Sequence, residues 1–198
     1  MNTAVILAGG RSSRSGRIHK GLRSLSANGD RYSWLEYQVQ QLRKAGYQRI
    51  VLATGYRSRR LLAKSSGALQ KHNPTPANGP FSTLLSALKG FNTGHTLLLP
   101  LDNPVPTQGT LHRLRSALKG NKAAKPCYAG KGGHPLLLSN CVVKKLKRVD
   151  VHAEEARLDK QLRLLDNSTI ARVAVTTSNV LCNLNSEKQW HRYKHYNF

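Results

Sequence analysis

Short, continuously apolar runs alternate along the chain with longer stretches whose apolar residues recur at helical spacing. "TAVILA" (3–8), "RIVLAT" (49–54) and "HTLLLPL" (95–101) have the look of strands buried on both faces. Further strands are expected at 125–130, 134–139, 171–177 and 180–184. In "SWLEYQVQQLRKAG" (33–46), Leu35, Val39 and Leu42 fall on one helical face, Ser33 and Glu36 have capping-box spacing, and Gly46 supplies a stop. Helical segments are also expected at 58–71, 81–90, 107–118, 140–149 and 153–165, with a terminal helix capped by Ser186 and Gln189. Strands alternating with helices predict an α/β fold with a mostly parallel sheet covered on both faces. "HNPTPANGP" (72–80) is too short a linker to separate domains, so residues 1–198 are expected to form one.

In such sheets ligands bind beyond the carboxyl ends of the strands. That rule singles out Ala8-Gly9-Gly10, Asp102-Asn103-Pro104 and Asn183-Leu184-Asn185. After the first strand, "LAGGRSSRSGRIHKG" (7–21) combines glycines that let a backbone approach a ligand with Arg11, Arg14, Arg17 and Lys20 as charged donors. It reads as a phosphate cradle. It is not a Walker A loop, because five residues separate the glycines of "GRSSRSGR" and Gly16 is followed by Arg17-Ile18. It is not a dinucleotide fingerprint either, since G-x-G-x-x-G is absent. His19, inside the loop, carries no pattern and is expected to be exposed.

Charge changes the picture. The 198 residues carry 32 Lys and Arg against 9 Asp and Glu, a formal +23, so the surface attracts polyanions of several classes without choosing among them. Against that background Asp102 stands alone, the single acid between Glu36 and Asp150. A carboxylate at a strand end, beside a basic glycine loop, is a reasonable Mg²⁺ ligand, because Mg²⁺ is usually held by one or two carboxylates plus substrate phosphates. A triphosphate cradle with one metal ligand suits nucleotidyl or phosphoryl transfer, which needs no protein nucleophile. "GRSSR" is no nucleophile elbow, and the spacing of Cys127, His134 and Cys141 matches no zinc motif.

These motifs together resemble the molybdenum cofactor nucleotidyltransferases, the MobA-like proteins. Their opening L-A-G-G-x-S-x-R-M-G…K is similar to "LAGGRSSRSGRIHK", with Ser15 in place of methionine. "NPTPANGPFSTLLSAL", "LLLPLDNP", "GHPLLLS" and "LCNLNSEKQW" follow in the family's order and span almost the whole chain. The resemblance implies a three-layer α/β/α, Rossmann-like sheet of the nucleotidyltransferase type. It implies that Leu7, Ala8 and Gly9 line the nucleoside and that Gly10, Arg11, Arg14 and Lys20 contact its phosphates, Lys20 and Arg14 with catalytic roles. Asn73 and Gly79 would border the nucleoside, Asp102 with Asn183 would hold Mg²⁺, and His134 would face the acceptor. The implied reaction moves a nucleoside monophosphate onto the phosphate of a molybdopterin-like acceptor and releases pyrophosphate. The L-A-G-G opening favours GTP, whereas "GHP" and "NPTPANG" look more like the cytidylyl branch, which uses CTP. Ala53 stands where guanylyl members often have an asparagine, and the closing segment lacks the usual proline and second acid.

A rival reading is a non-enzymatic basic protein that binds nucleotide or nucleic acid. It rests on the net charge and on "WHRYKHYNF" (190–198), where aromatic and basic residues interleave. The simpler reading of that tail is a helix that packs Trp190 and Tyr193 on the sheet. No run reaches the roughly 20 apolar residues of a membrane span. The N-terminus lacks a signal-peptide pattern, and three scattered cysteines fit a reducing compartment, so a cytoplasmic location is expected; the oligomeric state is left open, with a monomer favoured.

Overall fold

The computed structural model describes residues 2–10, 19–27, 30–56, 61, 64–65, 67–90 and 94–197. β1 (Thr3–Ala8) explains why its sequence is apolar almost throughout. Side chains alternate across a strand. Ala4, Ile6 and Ala8 therefore enter one core layer, and Val5 and Leu7 the other. β4 (Arg49–Thr54) and β6 (His95–Pro100) divide in the same way, with Leu97 and Leu99 on one side and Leu98 on the other. Polar β2 (Ser24–Ala27) and β3 (Asp30–Ser33) form a separate antiparallel hairpin ahead of α1 (Trp34–Lys44).

The remaining strands are β5 (Leu69–His72), β7 (Ala123–Tyr128), β8 (Lys131–Gly132), β9 (Leu136–Ser139) and β10 (Ile170–Ala174). They join β1, β4 and β6 in one sheet of order β10-β7-β9-β6-β1-β4-β5, with β8 paired to β7. β1 is parallel to β4 and β6, β4 to β5, and β10 to β7, while β9 runs antiparallel to both its neighbours. On one face, α1 packs with α3 (Gln108–Ala117) and α6 (Glu187–Asn197). On the other lie α2 (Gly79–Leu88), α4 (Asn140–Leu146) and the short α5 (Leu158–Arg163). The result is the three-layer α/β/α arrangement with a mostly parallel sheet.

The chain runs from β1 outward to β4 and β5, then crosses back to place β6 on β1's other side. The β1/β6 boundary is therefore the switch point at which open sheets leave a crevice for ligands. Leu7 pairs with Pro100 and its carbonyl accepts the Leu101 N–H at 3.0 Å, which brings the end of β1 level with the turn that carries Asp102.

Two local expectations need correction. Within the segment expected to be helical over 58–71, the described residues include the start of strand β5, at Leu69. Leu69, Gln70 and His72 are exposed, so this edge strand owes its form to pairing with β4 and leaves no apolar pattern to read. The stretch expected as a strand at 180–184 begins as a 3-10 turn, Ser178–Leu181, and continues as an unpaired strap. The β2–β3 hairpin corresponds to no element expected from the sequence.

Candidate active site

The first wall of the crevice is the end of β1. A Cβ added at Gly9 would sit 2.3 Å from Thr83 Oγ1, so the approach of α2 demands glycine there. Gly10 faces open space. Arg11, Arg14 and Arg17 lie outside the described residues, as does Ser15. The chain is described again at His19, which is 8 % exposed, in contrast to the expected exposed histidine. Its Nδ1 accepts from Gly21 N at 3.3 Å and opens the 3-10 turn Lys20–Leu22.

Asp102 forms the opposite wall, in a turn tied on all sides. Trp34 Nε1 donates to the Leu101 carbonyl at 2.6 Å, and Gln38 Nε2 donates to the carbonyls of Leu101 and Asn103 at 3.3 and 2.8 Å. Both donors come from α1, whose capping box is complete: Ser33 N donates to Glu36 and Glu36 N to the Ser33 hydroxyl. The 182–185 strap closes the other side. Leu184 N donates to the Asp102 carbonyl at 2.8 Å, and Asn103 Nδ2 donates to the Cys182 carbonyl and to Asn183 Oδ1.

Between these walls Lys20 Nζ lies 3.3 Å from Asp102 Oδ2 and donates to Asn185 Oδ1. The predicted Lys20 and Asp102 thus meet across 82 positions of sequence. It is Asn185 and not Asn183 that joins them. Asn183 is exposed and lines an outer hollow of about 530 Å³ beside Cys182 and Arg192. Asn185 is fixed by the reciprocal cap of α6, in which Gln189 Oε1 accepts from Asn185 N and Ser186 N at 2.9 Å and Gln189 N donates to the Ser186 hydroxyl. Arg23 ties the same helix to the Lys20 turn through Glu187 at 2.5 Å and lies over the Trp190 ring at 5.5 Å. Trp190 and Tyr193 are buried edge-on against Trp34, so these aromatics of the tail belong to the core.

Leu7, Ala8, Gly10, His19, Lys20, Leu101 and Asp102 enclose a cleft of about 100 Å³. Leu7 also lines a pocket of about 400 Å³ with Asn78, Gly79, Pro80, Phe81, Leu84 and residues 156–159. Gly79, at φ +85°, occupies a conformation that favours glycine and starts α2 at this pocket. Arg157 and Asp159 pair at its rim, Nε to Oδ1 at 3.1 Å and Nη2 to Oδ2 at 3.3 Å. Sequence reading passed over both, because nothing in a short exposed charged segment announces a pocket.

Asn73 lines neither space. It is fully buried and its carboxamide is occupied: Nδ2 donates to Ser82 and Thr83, and Oδ1 accepts from Thr75 N. Its place is behind the pocket, where it anchors α2. His134 donates its backbone N–H to the Val180 carbonyl and sits within electrostatic reach of Asp102. Burial pushes its imidazole below the ordinary value of 6.5, and the Asp102 carboxylate opposes that shift. Its Nδ1 is buried with no hydrogen-bond partner among the described residues. Among those residues no group of three His, Cys, Asp or Glu is placed to cage a metal, and no helix is long and apolar enough to cross a membrane.

The family model described as the MobA-like NTP transferase domain matches residues 4–179. No curated protein matches the chain. Among solved structures, a nucleotidyl transferase from Methanothermobacter thermautotroptrophicus superposes with a TM-score of 0.80 at 22 % identity, covering 99 % of this chain and 97 % of its own. Rv0371c of Mycobacterium tuberculosis H37Rv, solved as a complex with manganese, gives 0.71 at 20 % identity, covering 98 % of each chain. 4-Diphosphocytidyl-2C-methyl-D-erythritol synthase from Anaerococcus prevotii gives 0.70 at 11 % identity over 99 % of this chain and 95 % of its own. At these identities the likeness is one of fold.

Proposed function

The chain belongs to the MobA-like NTP transferase family, and on that premise we propose that it transfers a nucleoside monophosphate, GMP from GTP in the favoured reading, to the phosphate of a small acceptor of the molybdopterin kind. An acceptor phosphate oxygen attacks the α-phosphorus of the nucleotide, a new P–O–P bridge forms, and the bond to the β-phosphate breaks with its electron pair leaving on pyrophosphate. The observation that carries this reading is the shared Leu7 wall. Leu7 lines both a pocket of nucleoside size and the Lys20–Asp102 cleft, so the two spaces adjoin and suit one nucleotide laid across them.

Mg²⁺ fits the donors at hand. One carboxylate, Asp102, with the Asn185 carboxamide oxygen nearby suits an ion that shares its remaining positions with water and substrate phosphates. In this reading Asn185 takes the part that the resemblance implied for Asn183. Bound there, the ion would supply neutralising charge to the phosphates. The manganese complex of Rv0371c supports a divalent ion in this fold. Lys20, held at the cleft by two oxygens, presents its ammonium where the leaving pyrophosphate gains charge. Gly10 leaves the backbone accessible to the phosphates. His134, whose imidazole burial shifts toward the neutral form while Asp102 opposes the shift, is assigned in this reading to the acceptor.

The Arg157–Asp159 pair supports guanine. Guanine alone among the bases presents both a two-acceptor edge, N7 and O6, that fits a guanidinium fork, and a two-donor edge, N1–H and N2–H, that fits a carboxylate. Both partners are at least half exposed, and an exposed pair contributes little to stability, so exchanging it for a base costs little.

The test is thermal stabilisation of the full chain by GTP, CTP, ATP and UTP, each with and without Mg²⁺, since ligands of the native state raise its stability by mass action. GTP is expected to stabilise most, and Asp102→Ala to remove the Mg²⁺-dependent part. Equal shifts from all four nucleotides and from free polyphosphate would reduce the site to an anion sink. A clear preference for CTP would move the chain to the cytidylyl branch.

A further inference from the structure

At the end of β6 remote from Asp102 lies a second hollow, of about 370 Å³, whose floor and rim carry cations. His112, Arg115 and Ser116 share one stripe of α3 at spacings of three and four, and Lys119 continues it one turn later. His95 and Ser139, opposite each other in the β6–β9 register, complete the other side.

Four features separate this hollow from charge scattered over a basic surface. Its lining comes wholly from residues 94–139, where the single acid, Asp102, sits beyond the far end of a strand roughly 17 Å long at about 3.3 Å per residue. Among the described residues no carboxylate lines it and no ion pair uses its cations. Arg115 is held in place, its Nη1 donating to the Ala45 carbonyl at 2.8 Å and its guanidinium carbon 5.7 Å from the Tyr47 ring centroid, so less of its freedom is lost when its other donors bind. His95 stands edge-on to the same ring, and its Nε2 is buried with no hydrogen-bond partner among the described residues.

We propose that this hollow is a binding site for a small anion bearing a mono- or diphosphate group, separate from the nucleotide site at the other end of the strand. Guanidinium and ammonium groups with two hydroxyls supply the donors that phosphate oxygens accept from, and the lack of any lining acid removes the competing partner. The site does not depend on the transferase reading, since no residue is shared between the two.

Amide shifts of the full chain during titration with sodium pyrophosphate, at constant ionic strength and without Mg²⁺, test it. Saturable shifts are expected over Gly94–Thr96 and His112–Lys119, resolved from any at Gly10 and Lys20–Gly21. His112→Gln with Lys119→Gln, both exposed and with no side-chain hydrogen bond or ion pair among the described residues, should weaken that set by roughly tenfold. Arg163→Gln with Lys188→Gln, which removes charge from exposed positions of α5 and α6, should not. Absence of saturable shifts around His95 and α3, or equal weakening by both double variants, would overturn the proposal. The latter would mean that net charge alone draws the anion in.

Discussion

The two ends of β6 carry opposite solutions to the same excess of positive charge. Beyond its carboxyl end, Asp102 is matched to Lys20, with Asn185 on the same ammonium and backbone bonds from α1 and the strap fixing the turn. At its amino end, His95, His112, Arg115 and Lys119 line a hollow with no acid at all. One end is internally balanced and rigid, which suits a centre that must hold reacting groups in place. The other is unbalanced and shallow, which suits an anion that arrives and leaves. The difference teaches that a net charge of +23 is less informative than where the few acids are placed.

The largest expected effect separates the two ends by function. Lys20→Met should lower nucleotidyl transfer by about 10²–10³-fold, the scale on which loss of one positioned charge-stabilising group is felt, whereas Lys119→Gln should leave transfer unchanged. Equal single-turnover rates for the two variants would erase the distinction. Next comes rigidity. Gly9→Ala drives a Cβ to within 2.3 Å of Thr83 Oγ1 and should cost about 1–3 kcal/mol in urea unfolding, with Thr83→Ala in the same chain recovering part of the loss. Full stability in the single variant would mean that the end of β1 yields easily.

A smaller effect tests α1, whose first turns hold the Asp102 turn. Ser33→Ala breaks the capping box and should cost about 1 kcal/mol, read from the shift of the denaturation midpoint. The smallest involves both ends together. Burial is the leading cause that lowers His134 near one end and His95 at the other below 6.5, and Arg115 adds to the shift of His95. The folded chain then binds fewer protons than the unfolded one, so this contribution is complete above about pH 6.5 and is lost as pH falls through the folded values. Denaturation midpoints at about pH 5 and about pH 7.5 should differ less in His134→Gln and in His95→Gln than in the parent. Pyrophosphate should narrow the pH dependence that His95 contributes, because an anion in the hollow favours the charged imidazole.

Legibility in the sequence followed how much of each signal was local. "TAVILA", "HTLLLPL" and the capped "SWLEYQVQQLRKAG" were readable because double-sided burial and helical amphipathicity are written in consecutive residues. β5 was not, since its form comes from pairing with β4 at an edge. In the site, Lys20 and Asp102 were readable from loop chemistry and from the isolation of one acid. Asn185 was hidden beside Asn183 in the same short segment. Only the path of the strap decides which of two asparagines separated by one residue turns inward. Asn73 shows the converse: the resemblance placed it beside the nucleoside, but its hydrogen bonds are spent on Ser82, Thr83 and Thr75.

The sequence by itself determined the alternation of strands and helices, the glycine turn after β1 and the solitary carboxylate after β6, because each depends on neighbours a few residues apart. The tertiary structure alone decided that these two strand ends are level, that Leu7 lines both a nucleoside-sized pocket and an ionic cleft, and that a stripe of α3 faces His95 across a hollow. Those outcomes depend on strand order and register, which are set by side chains packing across tens of residues, and no local pattern encodes them.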